Sequence, residues 1–410
     1  MDLEVYYKFI LSFALILIIA RIGGELAQRY LKQPAVLGEL VAGIIISPFA
    51  LGGLFQDPII LNFAIIKGAF GISEFSPMEI ISHIAIVTLL FVAGLETNIR
   101  SFVKNVLPGS AVGLGGVILP FILGFLVTMV LARDYGLTGW LVMGAVLTAT
   151  SIGVTVRLFL EMGRLQTKPG TIIIVAAVVD DILGILILSI VISVAKTGSF
   201  DFYRMVYILF TGVFSWFALL MIGVRWNKYI SRFLLAPFRK SGTMPIVALL
   251  IGFLIAYLVT LVDLHPVVGA YVAGLMFAAT TERDEILEMT RPIMLFLGPF
   301  FFAYLGMQVE IPLLWIGGSL ALILFVAAVI GKVVGCYVPA RLISKLRHRG
   351  GMIVGIGMVP RGEVALTIAG SALIAGAIPR ELFGIAIAVS ILTTLLTPTM
   401  LKPFLRRKSA

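Results

Sequence analysis

Apolar residues are gathered into long runs along this chain, and charged residues fall mainly between the runs. Runs of about 17–25 apolar residues are long enough to cross a bilayer as α-helices. Thirteen can be marked out, at residues 8–30, 34–50, 77–98, 102–132, 137–162, 169–196, 203–224, 243–262, 266–281, 291–309, 312–341, 350–376 and 380–403. The strand-length alternation of a membrane β-barrel is absent from the sequence. The pattern therefore predicts an all-α polytopic membrane protein of about thirteen transmembrane helices.

The composition supports this class. Of the 410 residues, 60% are hydrophobic and only 13% are charged, and the mean hydropathy is +1.11. A water-soluble domain of this length needs far more polar surface. The single cysteine, Cys336, excludes an internal disulfide and a cysteine-based metal site. No polar stretch is long enough for a soluble domain, so residues 1–410 are expected to form one membrane unit.

Basic residues are distributed unevenly between the two sets of alternate connections. Twenty-one lie in one set together with the C-terminal tail, and six lie in the other. The positive-inside rule places the richer set in the cytoplasm. We expect a multi-pass protein of the inner (plasma) membrane with its N-terminus outside and its C-terminus in the cytoplasm. The net charge of +10 is then explained by topology, and nucleic acid is not expected as a partner.

Two short motifs recur seven runs apart. Gly38–Gly43 in the second run resembles Gly269–Gly274 in the ninth, and Gly94–Ile99 in the third resembles Gly306–Ile311 in the tenth. Because seven is odd, the copies cross the membrane in opposite directions. Glycine patterns of this kind also occur simply as helix-packing faces. The shared register favours inverted repeats of runs 1–6 and 8–13, which place an ion site near the midplane, where crossed broken helices meet.

Two adjacent carboxylates, Asp180 and Asp181, lie midway along the sixth run. Charges at this depth are costly and commonly mark an ion path, although a polar packing pair is the alternative. Neighbouring helix positions differ by about 100° in direction, so the two side chains cannot have the same role. Burial and mutual repulsion favour uptake of protons, and carboxylates also suit a hard cation. The site is thus expected to hold either a cation or protons.

Lys332, deep in the eleventh run, is the natural partner for one aspartate. We assign Lys332 to Asp180 and leave Asp181 for the cation. The alternative is that Lys332 extends to the membrane interface.

The fifth and twelfth runs carry residues that interrupt helices. The fifth contains Thr150 and Ser151, and the twelfth contains Pro360, Arg361, Gly362 and Glu363. Thr150 and Ser151 are expected to add oxygens to the ion site, or else to bond back to carbonyls of their own helix. Arg361 and Glu363 are supporting residues that neutralise the broken helix ends or each other.

Other buried charges have less definite roles. Arg157 and Glu161 have i,i+4 spacing and are predicted to form a surface pair. Glu25 is expected to pair with Arg21, and Glu39 has no assigned role.

The chain resembles the monovalent cation:proton antiporter family, in particular its two-aspartate bacterial and archaeal sodium–proton antiporters. The resemblance covers nearly the whole chain and rests on Gln33–Pro48, Leu90–Glu96, Thr148–Ser151, Asp180-Asp181, Lys332 and Pro360–Glu363. It implies a homodimer, with dimerisation and gate elements mainly in residues 1–76 and 203–309. It implies core ion-transport helices in residues 77–196 and 291–403, which move like an elevator. Ala176 stands where electroneutral relatives carry a glutamate, so the partner of Arg361 is open.

The expected function is therefore electrogenic exchange of sodium or lithium for protons, contributing to pH homeostasis. Sodium and protons are cargo, no cofactor is expected, and the partners are the lipid bilayer and a second copy of the chain. Potassium–proton exchange and sodium-coupled symport of an organic anion are the alternatives within this architecture. An intramembrane aspartyl protease is disfavoured because it needs aspartates on two helices, and a channel is disfavoured because Lys332 would oppose cation flow. The protein is thus expected not to be an enzyme.

Overall fold

The chain is largely α-helical in a computed structural model that describes residues 3–48, 50–51, 77–197, 236–262, 264–309 and 318–405, with separate positions between 203 and 235. We number the principal helices in chain order. They are α1 Leu3–Arg29, α2 Ala35–Ile46, α3 Pro77–Glu96, α4 Ile99–Lys104, α5 Val106–Leu131, α6 Gly136–Thr148, α7 Ile152–Glu161, α8 Lys168–Thr197, α9 Met244–Thr260, α10 Pro266–Ala278, α11 Arg283–Met307, α12 Gly318–Leu342, α13 His348–Gly357, α14 Glu363–Ile374 and α15 Arg380–Leu405.

The predicted all-α membrane fold is confirmed. Eight helical stretches within the described ranges are long and apolar enough to cross a membrane, and shorter apolar helices accompany them. Each predicted run other than 203–224 contains helix at its predicted position. Run 203–224 lies largely outside the described residues, as do most of the connection 51–76 and residues 310–317, so the number thirteen remains a prediction.

The predicted breaks occur in the fifth and twelfth runs. Helix α6 ends at Thr148 and α7 begins at Ile152, while α13 ends at Gly357 and α14 begins at Glu363. We call residues 149–151 and 358–362 together the crossing, because the Ser151 amide donates to the Pro360 carbonyl oxygen across 2.7 Å. This backbone bond joins one break to the other at the centre of the fold.

The inverted repeat is visible in how the two halves pack. An added Cβ at Gly43 of α2 would lie 2.0 Å from the Ala303 carbonyl oxygen of α11, and one at Gly274 of α10 would lie 2.0 Å from that of Phe91 in α3. Gly43 and Gly274 are the equivalent glycines of the two sequence motifs. Each half thus packs its second span against the third span of the other half, which only glycine permits at this distance.

Helices α5 and α12, the fourth and eleventh spans, cross on another pair of glycines. An added Cβ at Gly115 would lie 2.2 Å from the Gly335 carbonyl oxygen, and one at Gly335 would lie 2.3 Å from that of Gly115. The backbones therefore touch directly. This close approach of α5 and α12 brings Lys332, one turn before Gly335 on α12, next to α8 at the middle of the molecule.

Candidate ion-binding site

The paired charges lie on α8 and α12. Lys332 Nζ donates to Asp180 Oδ1 across 2.7 Å, and both side chains are fully buried, at 0% and 1% exposure. The Lys332 ammonium also passes close to Gly116 of α5, where an added Cβ would lie 3.6 Å from Nζ. The structure thus brings together the lysine and the aspartate that the sequence analysis paired, and Lys332 does not extend to the membrane interface.

Asp181 faces a different environment from its neighbour. It is 3% exposed, and within the described part of the chain its Oδ2 oxygen has no hydrogen-bond partner. Asp180 Oδ2 also has none there. A buried carboxylate oxygen without a donor is costly, and a bound cation or a proton would satisfy it. The two aspartates together therefore offer unsatisfied oxygens beside a fixed positive charge.

Thr150 and Ser151 form part of the crossing and bond across it. The Thr150 hydroxyl donates to the Met358 carbonyl oxygen across 3.1 Å, and the Ser151 hydroxyl donates to Glu363 Oε2 across 2.9 Å. The alternative that these two hydroxyls bond back to their own helix is wrong. They hold the two broken helices together beside the aspartates, and each hydroxyl oxygen keeps lone pairs.

Arg361 neutralises broken helix ends rather than Glu363. Its Nη1 donates to the Val359 carbonyl across 2.9 Å, and its Nη2 donates to the carbonyls of Leu147 and Ala328 across 2.5 and 3.2 Å. Leu147 belongs to the last turn of α6, where the unpaired carbonyls form the negative end of the helix dipole. The two terminal nitrogens of the fully buried guanidinium thus donate to carbonyl groups, whereas its Nε has no hydrogen-bond partner among the described residues.

One cluster of charges was misjudged from the sequence. Arg157 is buried, at 3% exposure, and its Nε lies 2.8 Å from Glu161 Oε1 while its Nη2 lies 3.6 Å from Glu39 Oε1. The predicted surface pair is therefore wrong, because this is a buried cluster that joins α7 to α2. Glu161 Oε2 also accepts from the Ala35 amide across 2.9 Å. The available signal was Glu39, a carboxylate inside an apolar run that required a buried partner.

The expected pairing of Glu25 with Arg21 is also replaced. Glu25 Oε1 instead lies 2.5 Å from Arg29 Nε, one turn further along α1, and both side chains are exposed. An exposed pair of this kind contributes little to stability.

Two cavities lie near opposite ends of α3, and one of them reaches Glu363, next to the crossing. The inner cavity, of about 300 Å³, is lined by Arg21, Glu25, Glu96, Arg157, Glu161 and Arg291. The outer cavity, of about 250 Å³, is lined by Glu79, His83, His265, Gln308, Glu363 and Thr367. Glu79 and Glu96 stand near the two ends of α3, which are roughly 25 Å apart at 1.5 Å per residue. Asp180 and Asp181 line neither cavity.

The sequence as a whole matches the family model described as "Sodium/hydrogen exchanger, transmembrane" over residues 14–407. The chain belongs to this family of monovalent cation:proton antiporters. The match spans both halves of the inverted repeat, so the aspartates, the lysine and the crossing all lie within the family's transmembrane unit.

Related exchangers match over almost their full length. The Na(+)/H(+)-K(+) antiporter GerN of Bacillus cereus is 33% identical over 97% of this chain and 96% of its own length. The high-affinity Na(+)/H(+) antiporter NhaS3 of Synechocystis sp. is 31% identical over 96% of this chain and 89% of its own length. The solved structure of the sodium proton antiporter MjNhaP1 from Methanocaldococcus jannaschii has a TM-score of 0.64 at 20% identity and covers 96% of each chain. This last similarity shows a shared fold.

Proposed function

We propose that this protein is an electrogenic antiporter that exchanges sodium, and also lithium, for protons at Asp181. The observation that carries the proposal is the buried Lys332–Asp180 bond of 2.7 Å beside an Asp181 oxygen that has no donor among the described residues. Hard monovalent cations prefer oxygen ligands, which Asp181, Asp180 and the nearby hydroxyls of Thr150 and Ser151 offer. The names of the relatives GerN and NhaS3 support sodium and protons as cargo.

From the charges at the site we infer a stoichiometry of two protons for each sodium ion. In the proton-loaded state, Asp181 carries one proton and the Lys332 ammonium, bonded to Asp180, carries another. When sodium binds, its charge attracts both carboxylates, so Asp181 releases its proton and Lys332 loses the partner that favours its protonated form. Two protons then leave for each sodium ion that binds. Each cycle moves one net charge, which makes the exchange electrogenic.

Alternating access is proposed to come from movement of a core past a fixed gate. The core consists of helices from residues 77–196 and 291–403, and the dimerisation and gate elements consist mainly of residues 1–76 and 203–309. The inner and outer cavities support this division, because each is lined by elements of both groups. A homodimer would keep the gate elements stationary in the bilayer. From the basic connections we infer that the inner cavity faces the cytoplasmic side of the plasma membrane and that the N-terminus is outside.

The test is sodium- or lithium-dependent dissipation of an imposed proton gradient in proteoliposomes, read by a pH-sensitive dye. Asp181→Asn should abolish this activity, because the variant can neither bind the cation by charge nor carry the proton. Asp134→Asn is the matched control, since Asp134 is exposed and lies in the short connection after α5. Exchange at the wild-type rate in the Asp181→Asn variant would refute the site assignment.

The same proteoliposomes test which cation is transported and whether each cycle moves net charge. Replacing sodium with potassium tests the second candidate, potassium–proton exchange, which the name of GerN suggests. Clamping the membrane potential at zero should speed electrogenic exchange, whereas an electroneutral exchanger would not respond.

A further inference from the structure

Glu363 is a carboxylate that the proposed exchange cycle does not use. It is the first residue of α14, and its side chain is partly buried at the crossing. Its Oε2 oxygen accepts from the Ser151 hydroxyl, which is itself fully buried. Among the residues that the structure describes, no lysine or arginine lies within ion-pair distance of Glu363. A carboxylate that accepts from a buried hydroxyl of the crossing, with no basic partner among the described residues, requires an explanation.

The outer cavity supplies one half of that explanation. Glu363 lines this cavity together with Glu79 and His83 of α3 and Gln308 at the end of α11. The Glu363 carboxylate thus contacts the cavity on one side and the Ser151 hydroxyl on the other. The side chain of Glu363 therefore joins the wall of the outer cavity to the crossing.

The position of Ser151 supplies the other half. Ser151 lies between α6 and α7 and is held in place by the hydrogen bond that its amide donates to the Pro360 carbonyl oxygen. The glycine before Glu363 keeps this contact close, because an added Cβ at Gly362 would lie 2.8 Å from Ser151 Oγ. Helix α14, which begins at Glu363, packs against α8, which carries Asp181. Glu363 therefore lies between the outer cavity on one side and Ser151 and the helix of the aspartates on the other.

We propose that Glu363 is a sodium-binding residue at the outer end of the ion path. Its carboxylate attracts sodium into the outer cavity and passes it to Asp181 alongside Ser151. This inference rests on the proposed exchange function and adds an ion-handling residue to it. Among its described lining residues the inner cavity has no equivalent, because each of its carboxylates lies beside a guanidinium group: Glu25 beside Arg29, Glu96 beside Arg291 and Glu161 beside Arg157. The path is thus asymmetric, with a cation-attracting carboxylate at its outer end.

The asymmetry predicts an effect on one face of the membrane. Glu363→Gln keeps an oxygen that can accept from Ser151 but removes the charge. In this variant, we expect the KM for sodium supplied on the outer face to rise about tenfold, equivalent to about 1.4 kcal/mol. The KM for sodium supplied on the inner face should change by less than a factor of two. Measurements in right-side-out and everted vesicles from a host without its own sodium–proton antiporters separate the two faces.

Two controls make the outcome unambiguous. Glu381→Gln removes an exposed carboxylate at the start of α15 and should leave both KM values unchanged. Arg380→Cys, labelled with a membrane-impermeant maleimide, identifies the face of the outer cavity, because Arg380 is exposed while the natural Cys336 is buried. The folded yield of Glu363→Gln is checked by gel filtration, and Glu363→Asp, which keeps the charge, should recover at least half of the lost outer-face affinity.

The result that overturns the inference is an unchanged outer-face KM in Glu363→Gln, or equal changes on both faces. Failure of the proposed function would look different, since the wild-type protein itself would then show no sodium-dependent exchange.

Discussion

The buried Lys332–Asp180 pair allows a quantitative prediction. At 2.7 Å, two unit charges attract each other by about 6 kcal/mol at an effective dielectric constant of roughly 20. The cost of burying both charges offsets much of this attraction, but removing one partner leaves the other buried and unpaired. Asp180→Asn should therefore lower the free energy of unfolding by about 3–5 kcal/mol.

Replacing both partners should reverse much of this loss. In the double variant Asp180→Asn, Lys332→Gln, neither charge remains, and the two amides can bond to each other. We expect this variant to be more stable than Asp180→Asn alone by at least about 2 kcal/mol. The assay is reversible unfolding in mixed micelles, followed by circular dichroism, for both single variants and the double variant.

An exposed ion pair of the same length provides the comparison. Arg283 Nη1 lies 2.6 Å from Asp284 Oδ1, but the Asp284 side chain is 86% exposed. Asp284→Asn should cost at most about 1 kcal/mol, because water screens the pair. The reasoning is refuted if Asp180→Asn and Asp284→Asn have equal effects, or if the Asp180 and Lys332 losses simply add in the double variant.

Two further predictions use the same unfolding assay. Arg157→Met should lower the free energy of unfolding by about 3–5 kcal/mol, because it leaves the fully buried Glu39 and the partly exposed Glu161 without their cation. Adding Glu39→Gln should restore part of that stability. A double variant no more stable than Arg157→Met would contradict the paired arrangement. Gly274→Ala should cost about 1–3 kcal/mol, because the added Cβ lies 2.0 Å from the Phe91 carbonyl oxygen and forces α3 and α10 apart. Gly184→Ala is its control, since an added Cβ there meets nothing within 4 Å. This variant should have the stability of the wild type or be more stable by up to about 1 kcal/mol. Similar losses of stability at both glycines would show that close helix packing is not the cause.

Much of the fold follows from the sequence because a membrane constrains helix length and polarity, and both constraints produce recognisable sequence patterns. Apolar runs of spanning length give the helices, and Thr150–Ser151 and Pro360–Gly362 mark the two breaks. The repeat is readable from Gly43 and Gly274, since only glycine allows the backbones to approach so closely. The Lys332–Asp180 contact follows from cost, because a lysine at that depth needs a carboxylate and Asp180 is at the matching depth.

The remaining contacts depend on geometry that spacing does not encode. Arg157 and Glu161 have the spacing of a surface pair, and only the packing of α7 on α2 buries them with Glu39. Arg361 was expected to neutralise either the broken helix ends or Glu363, and it donates to carbonyls at both breaks and to one carbonyl within α12. Such carbonyls belong to the backbone, so no residue type in the sequence marks them. The cavities likewise arise from the arrangement of several helices, so the sequence alone does not predict that Glu363 lines one of them.

The facing glycines Gly115 and Gly335 have a mechanical consequence. Helices separated by side chains can slide when rotamers change, whereas backbones in direct contact move together. Arg361 fastens α6 and α12 to the crossing in a similar way. If exchange proceeds as proposed, the ion travels as cargo inside a rigid block, and turnover is governed by the resistance that the block meets at its boundary. The thickness and fluidity of the surrounding lipid would then set the speed of exchange more strongly than the chemistry at the carboxylates.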